Sequence, residues 1–329
     1  MKKLLLFLII LIIITFANQA FAAVVGSTDD PMSVGGGARP LGMGRAFTAI
    51  ADDADAPFIN PAGLAGLKGP QGMTMFTNLM GEVYYTELCG SIPSEYGAVG
   101  AGLIMTGVNG IPTDTGPLAD YYDSLFLLSY STPLARFFQY ANNVFVGGNI
   151  KFFSRGFSGG ISQYASGTSA DIGLKYIFSP NLSFGICRQN FLPVSFGGVL
   201  RISGGAEESI AGITKIGFAA RPVPFGKDLL LAFDTDLPAQ SGRPITFHFG
   251  TEWKQSEYLT LRGGLDQSLD AATDSHASTN WTCGLSLGYA GFRVDYAYHP
   301  YYNDPSLATN YLSLSYQAEP WFALKGRTE

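Results

Sequence analysis

A serine flanked by glycines, Gly284-Leu285-Ser286-Leu287-Gly288, has the spacing of a hydrolase nucleophile elbow. That chemistry needs the serine on a sharp turn between a strand and a helix. Here Leu285 and Leu287 alternate with Gly284, Ser286 and Gly288, and Ala290-Gly291 leads straight into another alternating run. The pattern puts Ser286 on the small-residue face of a strand. An esterase or lipase would also need a base beside it, for which His248 and His299 are the candidates. The expectation is that the chain is not an enzyme.

Metal and phosphate chemistry are read the same way. Asp52, Asp53 and Asp55 are close enough to share a Ca²⁺ ion, but the twelve-residue calcium loop with its closing Glu is absent. Turn formation and helix termination account for them better. His248, His276 and His299 show no H-E-x-x-H spacing, and Cys89, Cys187 and Cys283 no C-x-x-C spacing. Three widely separated cysteines imply no disulfide framework. Gly35-Gly36-Gly37 and Gly42-Met43-Gly44 have no preceding strand and no following Gly-Lys-Ser/Thr, so close backbone packing explains them better than a phosphate loop. No metal and no cofactor is expected.

The elements that position these residues follow from composition and period. The chain has 329 residues with 41 glycines, 13% aromatics and 14% charged residues, against a usual charged share of about 25%. Net charge −6 and pI ≈ 5.1 exclude a phosphate-binding footprint, so no nucleic-acid partner is expected. A mean hydropathy of +0.16 with scattered apolar residues is a poor match to a bundle of membrane helices. Residues 1–22 read as a secretory signal peptide: Lys2 and Lys3, an apolar run over 4–14, and Ala20-Phe21-Ala22 as the cleavage site.

From Gln71 onward the period is two, the mark of strands with unlike faces. In 291–299, Phe292, Val294, Tyr296 and Tyr298 oppose Arg293, Asp295 and His299. In 244–253, Ile245, Phe247, Phe249 and Trp253 oppose Thr246, His248 and Glu252. Strands are expected at 71–79, 83–92, 95–108, 122–132, 143–154, 164–178, 181–190, 209–220, 227–236, 244–253, 257–266, 279–289, 291–299 and 308–316. Connections after even-numbered strands are mostly tight and those after odd-numbered strands mostly long, as in outer-membrane barrels. Two connections depart from this: 80–82 is short, and 133–142 is long on the tight side. Aromatics near strand ends, such as Trp281, Tyr289, Tyr298 and Tyr316, suit interfacial girdles, with outer-membrane lipid as the outward partner.

Residues 35–67 do not alternate. A short helix is expected over 41–50, ended by 52–57, and Pro61 opens another through Leu64. The run ARPLGMGRAFTAIADDADAPFINPAGLA closely resembles the N-terminal signature of the PorV/PorQ-like outer-membrane proteins, relatives of FadL-type long-chain fatty-acid channels. Its central residues are Gly42, Met43, Gly44, Asn60, Pro61, Ala62 and Gly63. Arg45 departs from the pattern, standing where family members often have a small residue. So does the end of the chain, where residues follow Tyr316 instead of a closing aromatic.

The resemblance implies an all-β fold, a 14-stranded antiparallel transmembrane β-barrel with a short N-terminal helical hatch, in the outer membrane of a Gram-negative-type bacterium. The expected organisation is signal 1–22, hatch or plug 23–69, barrel 70–317 and a periplasmic tail 318–329. It further implies passive passage of hydrophobic small molecules such as a fatty acid, or else an anchor or shuttle role with the proteins of a type IX-like secretion system. Lumen-facing Lys175, His248, Glu252, Arg262, Asp266, Arg293, Asp295 and His299 are expected to hold the hatch or to line a path, with His248, Glu252, Arg262, Arg293 and Asp295 as the path candidates. Family relatives open a lateral window at a kink in an early strand, and Gly97, Gly100 and Gly102 are the corresponding candidates here.

Overall fold

The structure is a computed structural model that describes residues 27–28, 30–79, 81–114, 116–160, 162–223, 228–269, 276–301 and 308–319. The signal peptide expected at 1–22 lies outside the described residues, as does the tail beyond Glu319.

The period-two runs form a closed antiparallel barrel of fourteen strands. They are β1 (Gln71–Leu79), β2 (Val83–Ser94), β3 (Gly97–Ile111), β4 (Ala119–Pro133), β5 (Val144–Gly159), β6 (Gln163–Ser179), β7 (Leu182–Gln189), β8 (Ile213–Ala220), β9 (Leu229–Pro238), β10 (Thr246–Lys254), β11 (Leu259–Leu269), β12 (Ala277–Tyr289), β13 (Phe292–His299) and β14 (Thr309–Gln317). β14 returns to pair with β1, Leu312 opposite Phe76, which closes the cylinder. No helix among the described residues is long and apolar enough to cross a membrane.

Alternation sorts the two faces as lipid and lumen require. Phe247, Phe249, Trp281, Leu287, Phe292 and Leu312 point outward and are exposed. Their neighbours Thr246, His248, Thr282, Ser286, Asp295 and Ser313 point inward and are buried. Outward aromatics pair across strands near the rims, Phe292 with Tyr316 at 4.6 Å and Trp281 with Tyr298 at 5.6 Å between ring centres.

The seventh and eighth staves differ from the expected continuous runs. β7 pairs with β6 from Ile172 opposite Arg188, and Val199–Ile202 pairs with the same strand from Thr168. The two are parts of one stave, and residues 169–171 of β6 stand opposite the whole of 189–198. The run expected at 209–220 is likewise split at 211–212, leaving Glu207–Ile210 as the partner of Val199–Ile202. The segment 191–208, expected as an irregular loop, therefore contains a hairpin. Ser27 and Thr28 add to its edge in parallel, opposite Ser209 and Ile210.

The long connection at 133–142 also has a structural use. Its 3₁₀ turn Leu134–Arg136 and Ala141 pack against Val144, Leu174 and Ile186 on the outer wall.

Residues 30–69 run inside the barrel as short turns: a 3₁₀ turn Pro31–Val34, α1 (Ala38–Gly42), α2 (Ala56–Ile59) and a 3₁₀ turn Pro61–Gly66. The helix expected over 41–50 is displaced. α1 ends at Gly42 because Gly44 (φ +59°) and Arg45 (φ +65°) turn the chain left-handed. Pro57 does not end a helix but sits in the first turn of α2, where its missing N–H is harmless.

Candidate functional site

The interface between this inner segment and the wall is the site. Glycines on adjacent strands stand opposite each other and admit the inner backbone. Gly250 on β10 faces Gly264 on β11, and a Cβ on either would stand 2.6 Å from Met43 O or 2.4 Å from Gly44 N. Gly185 and Gly217 form the same pair around Thr48 and Ala49, and Gly147 and Gly173 around Asn60, Pro61 and Ala62. Gly42 lies against Gly284 and Ala297. A Cβ on Gly63 would collide with Ala51 O, so the inner segment is also folded tightly on itself.

Polar wall groups then satisfy the backbone of the inner turns, as a buried irregular segment requires. Asp234 Oδ2 accepts from the amides of Phe47 (2.9 Å) and Thr48 (2.8 Å). Asn149 donates to Pro57 O at 2.7 Å and Gln189 to Phe58 O at 3.0 Å. Asn60 caps its 3₁₀ turn by accepting from Ala62 N, and its amide donates to Thr48 O (3.0 Å) and Leu174 O (3.2 Å). Lys175 donates to Ile50 O.

Three ionic groups add to this. In the first, Arg39 of α1 grips Glu252 of β10 with two hydrogen bonds (2.8 and 2.9 Å) and also reaches Asp53 (2.8 Å) and Asp52 (2.6 Å). Arg262 joins Glu252 to Asp295, and Arg293 joins Asp295 to Asp53. In the second, Arg45 binds both oxygens of Asp266 (2.8 and 2.9 Å), which also bonds His248 and His299 at 2.8 Å each. In the third, Lys151 Nζ contacts Asp30 at 2.6 Å and Asp171 at 3.1 Å, and Asn190 bonds Asp30, Asp171 and Lys151. This last group sits beside the interruption of the seventh stave.

The path candidates Glu252, Arg262, Arg293 and Asp295 are thus brought into one ionic group, and His248 into another. Arg45 has its own carboxylate partner, Asp266, on β11. Burial opposes the charge on Asp53, yet the Arg39 and Arg293 guanidiniums outweigh it and hold the carboxyl below its ordinary range. Burial, followed by the negative charges of Asp53 and Glu87, pushes the Asp55 carboxyl well up.

Of Gly97, Gly100 and Gly102, the residues expected to open a window, the last two lie where the strand is paired on both sides, and Gly97 pairs with Ser94 of β2. β3 pairs without a break with β2 from Ser94–Gly97 to Tyr84–Gly107, and with β4 from Ala98 to Val108. Gly100 and Gly102 make room for Leu64 and Phe58 of the inner segment. Ser286 has Asp295 as its partner, and His248 and His299 are each bound to Asp266.

No motif spacing marks Arg39, Lys151, Asp171 or Asp234. The last three occupy inward positions of period-two runs, a signal that would have marked them. On β1 to β5 the lumen also carries an apolar cluster, flanked by the Asp123–Arg155 and Lys151–Asp30 pairs. Leu79, Tyr85, Ile104, Leu125 and Phe153 form it, and Met32 and Val34 of the inner segment pack against it.

Neither family models nor curated proteins match the chain. Solved structures do. The toluene transporter TodX of P. putida superposes with a TM-score of 0.60 at 14% identity, covering 86% of this chain and 98% of that one. The toluene transporter TbuX of Ralstonia pickettii gives 0.56 at 13%, covering 85% and 98%. A Pseudomonas aeruginosa FadL homologue gives 0.55 at 11%, covering 86% and 98%. At these identities what is shared is architecture: the chain has the fold of the FadL-type outer-membrane barrels.

Proposed function

We propose that the chain is an outer-membrane channel for passive passage of hydrophobic small molecules. The observation that carries this reading is the apolar lumen cluster of Leu79, Tyr85, Ile104, Leu125 and Phe153 on β1 to β5, with Met32 and Val34 of the inner segment packed against it. A barrel serving only as an anchor has no need of such an apolar cluster in its lumen, and porin-type lumens are polar and wet. The superposition on two toluene transporters supports the same class of cargo. No energy-coupling motif is evident in the sequence, so flow follows the gradient.

Uptake of radiolabelled toluene and oleate by cells that lack their own channel for these compounds tests the reading. Expression is expected to raise the initial rate severalfold. Leu125→Asp and Phe153→Asp, which place an unpaired charge in the apolar cluster, are expected to return it to background while the barrel still shows heat-dependent gel migration. The resemblance of the N-terminal run to PorV/PorQ-like proteins gives an anchor role in secretion as the second reading. Unchanged uptake together with co-purification of secreted proteins from the native membrane would favour that role.

A further inference from the structure

We propose that Asp55, Glu87 and Cys89 bind a divalent metal ion of the zinc class, which staples the inner segment to the barrel wall. One carboxylate oxygen from each acid and the Cys89 sulfur lie within 4.8 Å of one another. Glu87 and Cys89 are two residues apart on β2 and so share its lumen face. Asp55, at the start of α2, is delivered by the inner segment. The set exists only once that segment folds against the wall, which is why no spacing in the sequence announces it.

All three side chains are cut off from solvent, at 0%, 2% and 4% exposure for Glu87, Asp55 and Cys89. Gly37 N donates to Glu87 Oε2 at 3.0 Å, whereas Glu87 Oε1 is buried with no partner at all. The thiol is held in place by Ala54 O at 3.0 Å. A Cβ on Gly37 would stand 2.0 Å from Asp55 Oδ2 and one on Gly36 3.3 Å from Glu87 Oε1, so these two glycines keep side chains away from the carboxylates. The guanidiniums nearby are engaged elsewhere, Arg39 with Asp52, Asp53 and Glu252, and Arg293 with Asp53 and Asp295.

Two carboxylates in such a place cannot both be ionised without a compensating cation. A thiolate with two carboxylates is a borderline donor set that suits Zn²⁺. On binding, Cys89 gives up its proton, and any proton shared by the carboxyls leaves as well, both to solvent. The bound ion joins β2 to α2 by bonds that a chelator removes.

The full chain, purified in detergent under reducing conditions and stripped with EDTA, is titrated with Co²⁺. The expected result is a near-ultraviolet thiolate-to-cobalt band that saturates at one equivalent, and an upward shift of the thermal transition when Zn²⁺ is added. Both are lost in Cys89→Ser and in Glu87→Gln, the latter leaving a neutral, foldable pair. Both persist in Cys283→Ser, which removes the lipid-facing thiol. Absence of the band in the wild type, a band that survives Cys89→Ser, or a Zn²⁺ shift unchanged in Glu87→Gln overturns the proposal.

Discussion

Arg39 and Glu252 meet head-on across the lumen, Nε to Oε2 at 2.8 Å and Nη2 to Oε1 at 2.9 Å, one from α1 and the other from β10. Both are largely buried. Removing Glu252 takes a carboxylate from both Arg39 and Arg262, and breaking a buried pair costs about 3–5 kcal/mol. Glu252→Ala is expected to lower the unfolding midpoint and to expose the inner segment to protease. Limited proteolysis alongside denaturant unfolding checks both outcomes.

Gly264 gives the chain at Met43 and Gly44 its place, since a Cβ there would stand 2.4 Å from Gly44 N. Gly264→Val is expected to push the inner segment off the wall without unmaking the ladder, because β-branched residues suit strands. Heat-dependent gel migration then stays normal while leakage of a small hydrophobic dye rises. Gly263→Val, whose nearest neighbour is 3.8 Å away, leaves leakage at the wild-type level.

Two aspartates give opposite pH dependences. Asp53 titrates below its ordinary range, so its contribution to stability is present above about pH 4, the unfolded value. It is lost as pH falls through the folded value. Asp55 titrates above its ordinary range, so its contribution is full below about pH 4 and is lost as pH rises through the folded value. Thermal transitions of metal-free protein between about pH 3 and about pH 9 separate the two. Asp53→Asn flattens the acid limb, and Asp55→Asn flattens the alkaline limb and stabilises the protein there.

Lys151 is fully buried between Asp30 and Asp171 at the interrupted stave. Lys151→Met leaves two carboxylates without their cation, and the loss is expected to be about 3–5 kcal/mol. Faster hydrogen exchange confined to residues 30–34 and 190–198 is the local signature. Uniformly faster exchange around the barrel would contradict this local role.

The period-two runs were legible because lipid and lumen demand unlike side chains on one strand, and all fourteen strands were read from it. The break at 211–212 was not, since Ile210, Ile213 and Thr214 continue an acceptable strand pattern and only Gly212 interrupts it. Individual lumen glycines were visible, but the facing pairs Gly147–Gly173, Gly185–Gly217 and Gly250–Gly264 depend on register, which alternation alone does not set. Glu252, Arg262, Arg293 and Asp295 were readable as inward charges. Their partners Arg39 and Asp53 lie far away in the chain, in a segment without periodicity. The left-handed turn at Gly44 and Arg45 displaced the helix expected there for the same reason.

Gly42 and Ala297 stand close enough for a disulfide: a Cβ on Gly42 would lie 3.5 Å from that of Ala297. The most direct measurement of the central claim is oleate flux down its gradient into vesicles carrying the purified protein, with and without this cross-link. Wild-type vesicles are expected to fill severalfold faster than protein-free ones. The oxidised Gly42→Cys/Ala297→Cys variant is expected to be slower and to recover on reduction. Flux equal to that of protein-free vesicles, with the barrel intact by gel migration, would contradict passage of hydrophobic molecules through this lumen.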